Sequence, residues 1–207
     1  MAYASRTGTL RNLAALREAG WGLMVSAAAD LRTEGFDRYA LDNGAWAAFQ
    51  AGRRINIARF CRALDLLGDE AEFVIAPDIV LGGEESLALS LAWLPHVLDR
   101  TERALIAVQN GMTPDDLRPH VSERVGIFVG GDTAWKEASL GEWGWLKAET
   151  GCHLHVGRVN TKRRIRLCAL AGADSFDGSS ASRFAKSLPR LDLARRQPCL
   201  FLLESGL

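Results

Sequence analysis

Six short segments of this sequence place polar, hydrogen-bonding or charged residues directly after apolar runs. They are Asp42 with Asn43 and Gly44, Asp78, Gln109 with Asn110 and Gly111, Gly130 with Gly131 and Asp132, Gly157 with Arg158, and Asp177 with Gly178. Paired carboxylates suit chemistry at an acetal-like carbon: one attacks the anomeric carbon through an oxocarbenium-like transition state, and the other manages the proton of the leaving group. Glycosides and nucleosides both fit. Glycines beside the acids let a planar ligand approach the backbone. Taken singly, Asp42 in LDNGAW also suits a turn cap, Asp78 after Pro77 a helix N-cap, and Gln109 an amide closing a loop. Asp177 resists such a reading, because a charge ending a short, buried-looking strand is costly without a purpose. Asp174 competes with it at a distance of three residues. Asp177 and Asp42 are the leading catalytic pair.

The elements that must position these residues are legible as an alternation. Apolar runs rich in β-branched and aromatic residues begin at Trp21, Arg38, Glu72, Ala104, Val125, His153, Ala173 and Cys199. Helical periods fall between them, over 55–67, 84–98, 114–120, 133–150 and 161–171, several opened by Asp, Asn or Thr. An opening helix over 9–19 precedes the first run and is expected to close the ring by covering the last one. Repeated βα units of this kind predict a compact (β/α)8 TIM-type barrel in a single domain spanning 1–207, with the site at the C-terminal ends of its strands. An open doubly wound sheet competes, but the chain has neither GxGxxG after its first run nor GxxxxGK[ST] anywhere.

Composition narrows the class. Lys plus Arg and Asp plus Glu each total 25, so no global field draws the protein to a polyanion, and any such partner needs a local basic patch. One candidate patch is Arg158, Lys162, Arg163, Arg164 and Arg166, with Arg183, Lys186 and Arg190 downstream; a solvated helix face is the plainer alternative. The four cysteines form no CxxC pair or zinc ladder and read as reduced thiols. No apolar run approaches the ~18–20 residues that span a bilayer, so a cytoplasmic protein is expected. Trp46, Phe49 and Phe128 could stack a planar base, though aromatics at such spacings are more often core.

The segments at the strand ends, in their order along residues 38–180, resemble those of the tRNA-guanine transglycosylase superfamily. LDNGAW stands where that family has a DSGGFQ-like motif, IAPD where it has a base-recognising Asp, VQNG for VQGG, and VGGDTAWKE for VGGLAVGE. HVGRVNTKRRIRLCALAGADSFDG follows the family's GVG segment, helix and DMFDC motif. The departures are a C-terminal CxCxxC…H zinc site that has no counterpart here, and GSSASR where the family has CVLPTR. A compact, zinc-free form resembles the deazapurine DNA modification proteins of the DpdA type, found in phages and bacterial genomic islands.

That resemblance implies a DNA-guanine transglycosylase that exchanges guanine in DNA for a 7-deazaguanine base such as preQ0. It places Asp177 as nucleophile and Asp42 as proton shuttle. Asp78, Gln109, Gly130, Gly131 and Gly157 would bind the base, and Arg158, Lys162 and Arg163 would hold phosphates. It implies no metal and no cofactor, a flipped or single-stranded guanine as target, a cytoplasmic setting in a bacterium or phage-infected host, and a possible protein partner in a modification system. The alternatives are a base-releasing N-glycosidase and a non-catalytic nucleic-acid-binding subunit.

Overall fold

The computed structural model describes residues 1–197. Eight parallel strands close into a ring in sequence order: β1 (Ala2–Ser5), β2 (Gly22–Ser26), β3 (Tyr39–Asp42), β4 (Val74–Ile75), β5 (Ala104–Val108), β6 (Val125–Val129), β7 (Leu154–Val156) and β8 (Ser175–Gly178). Around them run α1 (Leu10–Glu18), α2 (Ala45–Gln50), α3 (Ile57–Leu67), α4 (Gly83–Leu98), α5 (Pro114–Leu117), α6 (Thr133–Thr150), α7 (Lys162–Leu170), α8 (Ser180–Arg183) and α9 (Leu188–Arg196). The protein is a (β/α)8 TIM barrel, as the alternation of runs and helical periods predicts.

Strands β2 to β8 fall on the apolar runs read from the sequence, but the ring is completed differently from the expectation. The strand that closes it is β1, which precedes α1 and pairs with both β2 (Tyr3 opposite Gly22) and β8 (Tyr3 opposite Asp177). Helix α1 therefore links β1 to β2 instead of sealing the ring. The run that begins at Cys199 lies outside the described residues. The Ala-Tyr-Ala-Ser segment carries little intrinsic strand preference, and what fixes it is burial on both faces. Ala2 and Ala4 are fully buried beneath the helices, while Tyr3 fills the lumen.

Period-two alternation gives the barrel two cores. Outward side chains such as Leu23, Val25, Leu41, Ile106, Val108, Ile127 and Val156 pack under the helices. Inward ones, Tyr3, Met24, Ala40, Phe73, Ile75 and Leu105, fill the lumen with Phe128 against them. Tyr3 meets Phe73 edge-on at 5.3 Å between ring centroids. The helices start where short polar side chains cap them: Thr9, Asn56, Asp132 and Thr161 each accept from a backbone N–H in the first turn of α1, α3, α6 and α7. Neither Asp42 nor Asp78 is such a cap; the cap positions of α2 and α4 are Gly44 and Gly82.

Candidate active site

Asp42 ends β3 and Asp177 is the third residue of β8, so both project at the C-terminal mouth of the barrel. Each holds one carboxyl oxygen by local donors. Asp42 Oδ2 accepts from Ser26 Oγ at 2.9 Å and from the Gly44 N–H at 3.1 Å. Asp177 Oδ1 accepts from the Arg158 N–H at 3.2 Å and lies 3.2 Å from His155 Nε2. In both cases the second oxygen takes no hydrogen bond from the described residues. The Asp42 carboxyl is pushed up to about 6 by burial, reinforced by the charges of Asp177 and Asp78 and opposed by its Ser26 and Gly44 donors. Asp174 is not part of this mouth: its carboxyl accepts from the Leu154 N–H and pairs with Lys147 at 2.9 Å, where β7 begins.

Beneath Asp177 lies a polar column that the sequence reading missed. His155 is completely buried in the lumen, stacked on Phe128 at 5.2 Å with 12° between planes. Its Nδ1 is 2.8 Å from Ser175 Oγ, which in turn is 2.7 Å from His153 Nε2. Burial lowers the pKa of both imidazoles, that of His153 to about 3, so both rings are neutral at neutral pH. A neutral His155 that donates Nε2–H to Asp177 must accept at Nδ1 from the Ser175 hydroxyl, which then accepts from His153 Nε2–H. One tautomer assignment satisfies the whole column. Lys136 of α6 was missed as well. It is 5% exposed, donates from Nζ to the Gly157 carbonyl, and is lowered to about 8 by burial and the nearby Arg158 charge. The signals were present: His153 and His155 alternate with Leu154 onto the inward face, and Lys136 sits on the buried stripe of Ser139, Leu140 and Trp143.

Asp78 and Gln109 are brought together, but with each other. Asp78 Oδ1 accepts from Asn43 Nδ2 at 2.8 Å and Oδ2 from Gln109 Nε2 at 2.9 Å. Gln109 also donates to the Ile79 carbonyl, and its Oε1 accepts from the Leu81 N–H. Asn43 ties in the Ala76 carbonyl and the Ala45 N–H. The network binds the ends of β3, β4 and β5 into one rim and leaves Asp78 8% and Gln109 3% exposed. Burial pushes Asp78 up to about 6 against its Asn43 hydrogen bond.

The glycines and cations divide. The Gly130 and Gly157 N–H groups are spent on the sheet, to Val108 and Val129 carbonyls. Gly157 is required sterically, since a Cβ there would sit 2.5 Å from the Phe128 ring. Gly131 (φ +66) offers its carbonyl to Arg158 Nη2. Arg158 itself has φ +58, a strained conformation for a residue with a side chain. Its guanidinium lies 4.2 Å from the ring centroid of Trp46 on α2. Since α2 follows β3 and Arg158 follows β7, four places round the ring, this contact reaches across the mouth. Arg163 is paired with Glu137, as is Arg164, while Lys162 has no ion pair among the described residues. Of the candidate stacking rings, Trp46 and Phe49 are exposed at the rim and stack on each other at 5.8 Å, whereas Phe128 belongs to the lumen. Among the described residues no His, Cys, Asp and Glu cluster is arranged to hold a metal ion, and no helix is long and apolar enough to cross a membrane.

No protein-family model matches the chain, and no curated protein matches it. Solved barrels do. A structure titled native KDPGal aligns with 95% of each chain at TM-score 0.55 and 11% identity. Tryptophan synthase from M. tuberculosis aligns over 95% of this chain and 90% of its own at TM-score 0.51 and 16% identity. The tryptophan synthase alpha subunit of Legionella pneumophila covers 96% and 92%, at TM-score 0.51 and 14% identity. The likeness is one of fold. These neighbours are TIM-barrel enzymes, and chemistry must be argued from the mouth itself.

Proposed function

We propose that the barrel exchanges guanine in DNA for a 7-deazaguanine base such as preQ0, through a covalent glycosyl ester on Asp177. What carries the reading is the pair of unlike carboxyls at one mouth. Asp177 has one oxygen steadied by two nitrogens and the other unengaged. Asp42 has a proton affinity raised to about 6. Groups whose surroundings set them apart in this way divide the roles of nucleophile and acid. In the first half-reaction Asp177 Oδ2 bonds to C1′ as the C1′–N bond breaks; the electron pair leaves with guanine, which takes its proton from Asp42. In the second, the ring nitrogen of the incoming deazaguanine attacks C1′, its proton passes to Asp42, and the Asp177 ester bond breaks. His155, fixed from below by Ser175, keeps Asp177 oriented throughout.

Because Asp78 and Gln109 are joined, base selection on this reading proceeds by opening their link: the base edge replaces Gln109 on Asp78 or Asp78 on Gln109. Arg158, freed from Trp46, would turn to a phosphate beside Lys162 and Arg163. The experiment is direct. Protein is incubated with guanine-containing DNA and preQ0, the product is digested to nucleosides, and the deazaguanine nucleoside is sought by mass spectrometry. Its appearance in wild type and loss in Asp177→Ala supports the proposal. Free guanine with abasic sites means that water resolves the ester and the protein is an N-glycosidase. No change with either DNA or RNA overturns the catalytic assignment in favour of a binding role.

A further inference from the structure

A concentration of unpaired positive charge lies apart from the basic patch read in the sequence. Arg53, Arg54 and Arg59 line a cleft of about 190 Å³ whose inner wall includes Asn43 and Gly44, the two residues that follow Asp42. A second cleft of about 390 Å³ shares Arg59 with the first and adds Arg32 and Arg62. The side chains of these five arginines make no ion pair or hydrogen bond with any described residue. Asp30 is the acid lining the clefts, and it already faces Arg6 at 3.7 Å. In a chain of zero net charge, uncompensated guanidinium groups round one hollow mark a site for an external polyanion. Guanidinium forks match phosphate oxygens in pairs.

A second feature adjoins it. Helix α2, whose Ala47 and Ala48 line the first cleft, carries the stacked pair Trp46 and Phe49, which are 39% and 45% exposed. Arginines for phosphates next to partly exposed aromatic rings for bases is the combination that grips single strands, since a duplex keeps its bases stacked away; a base reaches the Trp46 face where Arg158 leaves it. We infer that the clefts between the β2–β3 loop, α2 and α3 carry the backbone of a single-stranded nucleic acid, with flanking bases on Trp46 and Phe49 and the target base led past Gly44 to Asp42. This rests on the reading that the mouth acts on a nucleic-acid base, and it assigns the track by which the strand arrives.

The test is fluorescence anisotropy with a labelled, guanine-containing DNA strand of about 12 nucleotides, a length that fills a typical single-strand site. It uses the whole chain across a salt series. Wild type should bind, and Arg53→Ala/Arg54→Ala/Arg59→Ala should weaken binding on the order of 100-fold at about 0.1 M salt, flattening the log–log salt slope by about 2 for three lost phosphate contacts. Phe49→Ala should weaken binding without changing the slope. These arginines are exposed, and an unchanged circular-dichroism melt confirms folding. Equal affinity of wild type and triple variant, absence of wild-type binding, equal affinity for duplex, or a loss confined to Lys162→Ala/Arg163→Ala each overturns the inference. Asp177→Ala separates the two readings: it should bind the strand normally while failing at base exchange. Strand binding lost in the triple variant, with no exchange by wild type, would leave the track standing and remove the proposed reaction.

Discussion

The Asp42 carboxyl sets an opposition between stability and the proposed chemistry. Its folded pKa of about 6 lies above the 3.8 of an ordinary aspartate, so the folded protein holds this proton more tightly than the unfolded chain does. Stability linked to that proton is present in full below about pH 4 and is lost as pH rises through about 6; at neutral pH the ionised group costs on the order of 3 kcal/mol. Asp42→Asn keeps an oxygen for Ser26 and Gly44 without the charge. It should therefore raise the urea midpoint at pH 8, with the gain vanishing near pH 4, while abolishing the proposed base exchange. If Asp42 supplies the proton in the proposed reaction, kcat/KM for guanine release falls about tenfold per pH unit on the alkaline side of its pKa. Asp177→Ala should lower exchange by about 10⁴-fold or more, as loss of a nucleophile does. At this scale the sequence was informative about which aspartates stand at the mouth, because strand ends in a barrel meet there. It was silent on what Asp78 and Gln109 bond to, since their mutual hydrogen bond joins positions 31 residues apart.

Loops between the elements turn these side chains into a site, and two of them can be probed. Gln109, at the end of β5, satisfies the Leu81 N–H of the β4–α4 loop and Asp78 at once. Gln109→Ala strands both groups and should cost about 2 kcal/mol or more of unfolding free energy; a residue that only read the base would shift KM and leave the denaturation curve in place. The β7–α7 loop depends on Gly157, where a methyl group would press on the Phe128 ring that stacks on His155. Gly157→Ala should destabilise by about 1–3 kcal/mol and, by moving His155, reduce exchange as well. Element types and most boundaries were legible: the helix read over 133–150 and the observed α6 coincide, and its Asp132 cap is where a short polar side chain stood before an apolar period. Helix α2 was not, since AWAAFQ is only 6 residues long and shows less than two turns of period. Yet α2 supplies Trp46, the far end of the contact that spans the mouth.

For the molecule as a whole, closure is the decisive property, and it depends on the segment least conspicuous in the sequence. Two alanines, a tyrosine and a serine give β1 no apolar run to notice, and its role comes from pairing on both sides at once, with β2 and with β8. That is a tertiary fact that no local pattern encodes. Its charge balance hides in the same way: equal totals of acid and base conceal five arginines, gathered from positions 32 to 62, that have no side-chain ion pair among the described residues. Deleting residues 1–5 would expose the edges of β2 and β8, remove Tyr3 from the lumen beside Phe73 and His155, and leave Asp177 without the strand that registers it. Open parallel edges are templates for association, and a lumen deprived of a buried aromatic loses about 3–5 kcal/mol by itself. The truncated chain should aggregate on size exclusion and show no cooperative thermal transition. Tyr3→Ala, which keeps the backbone pairing, should remain monomeric with a lower midpoint. A truncated chain that melts cooperatively as a monomer would mean that β8 and β2 can close without β1, and that the ring is held mainly by the helices packed around it.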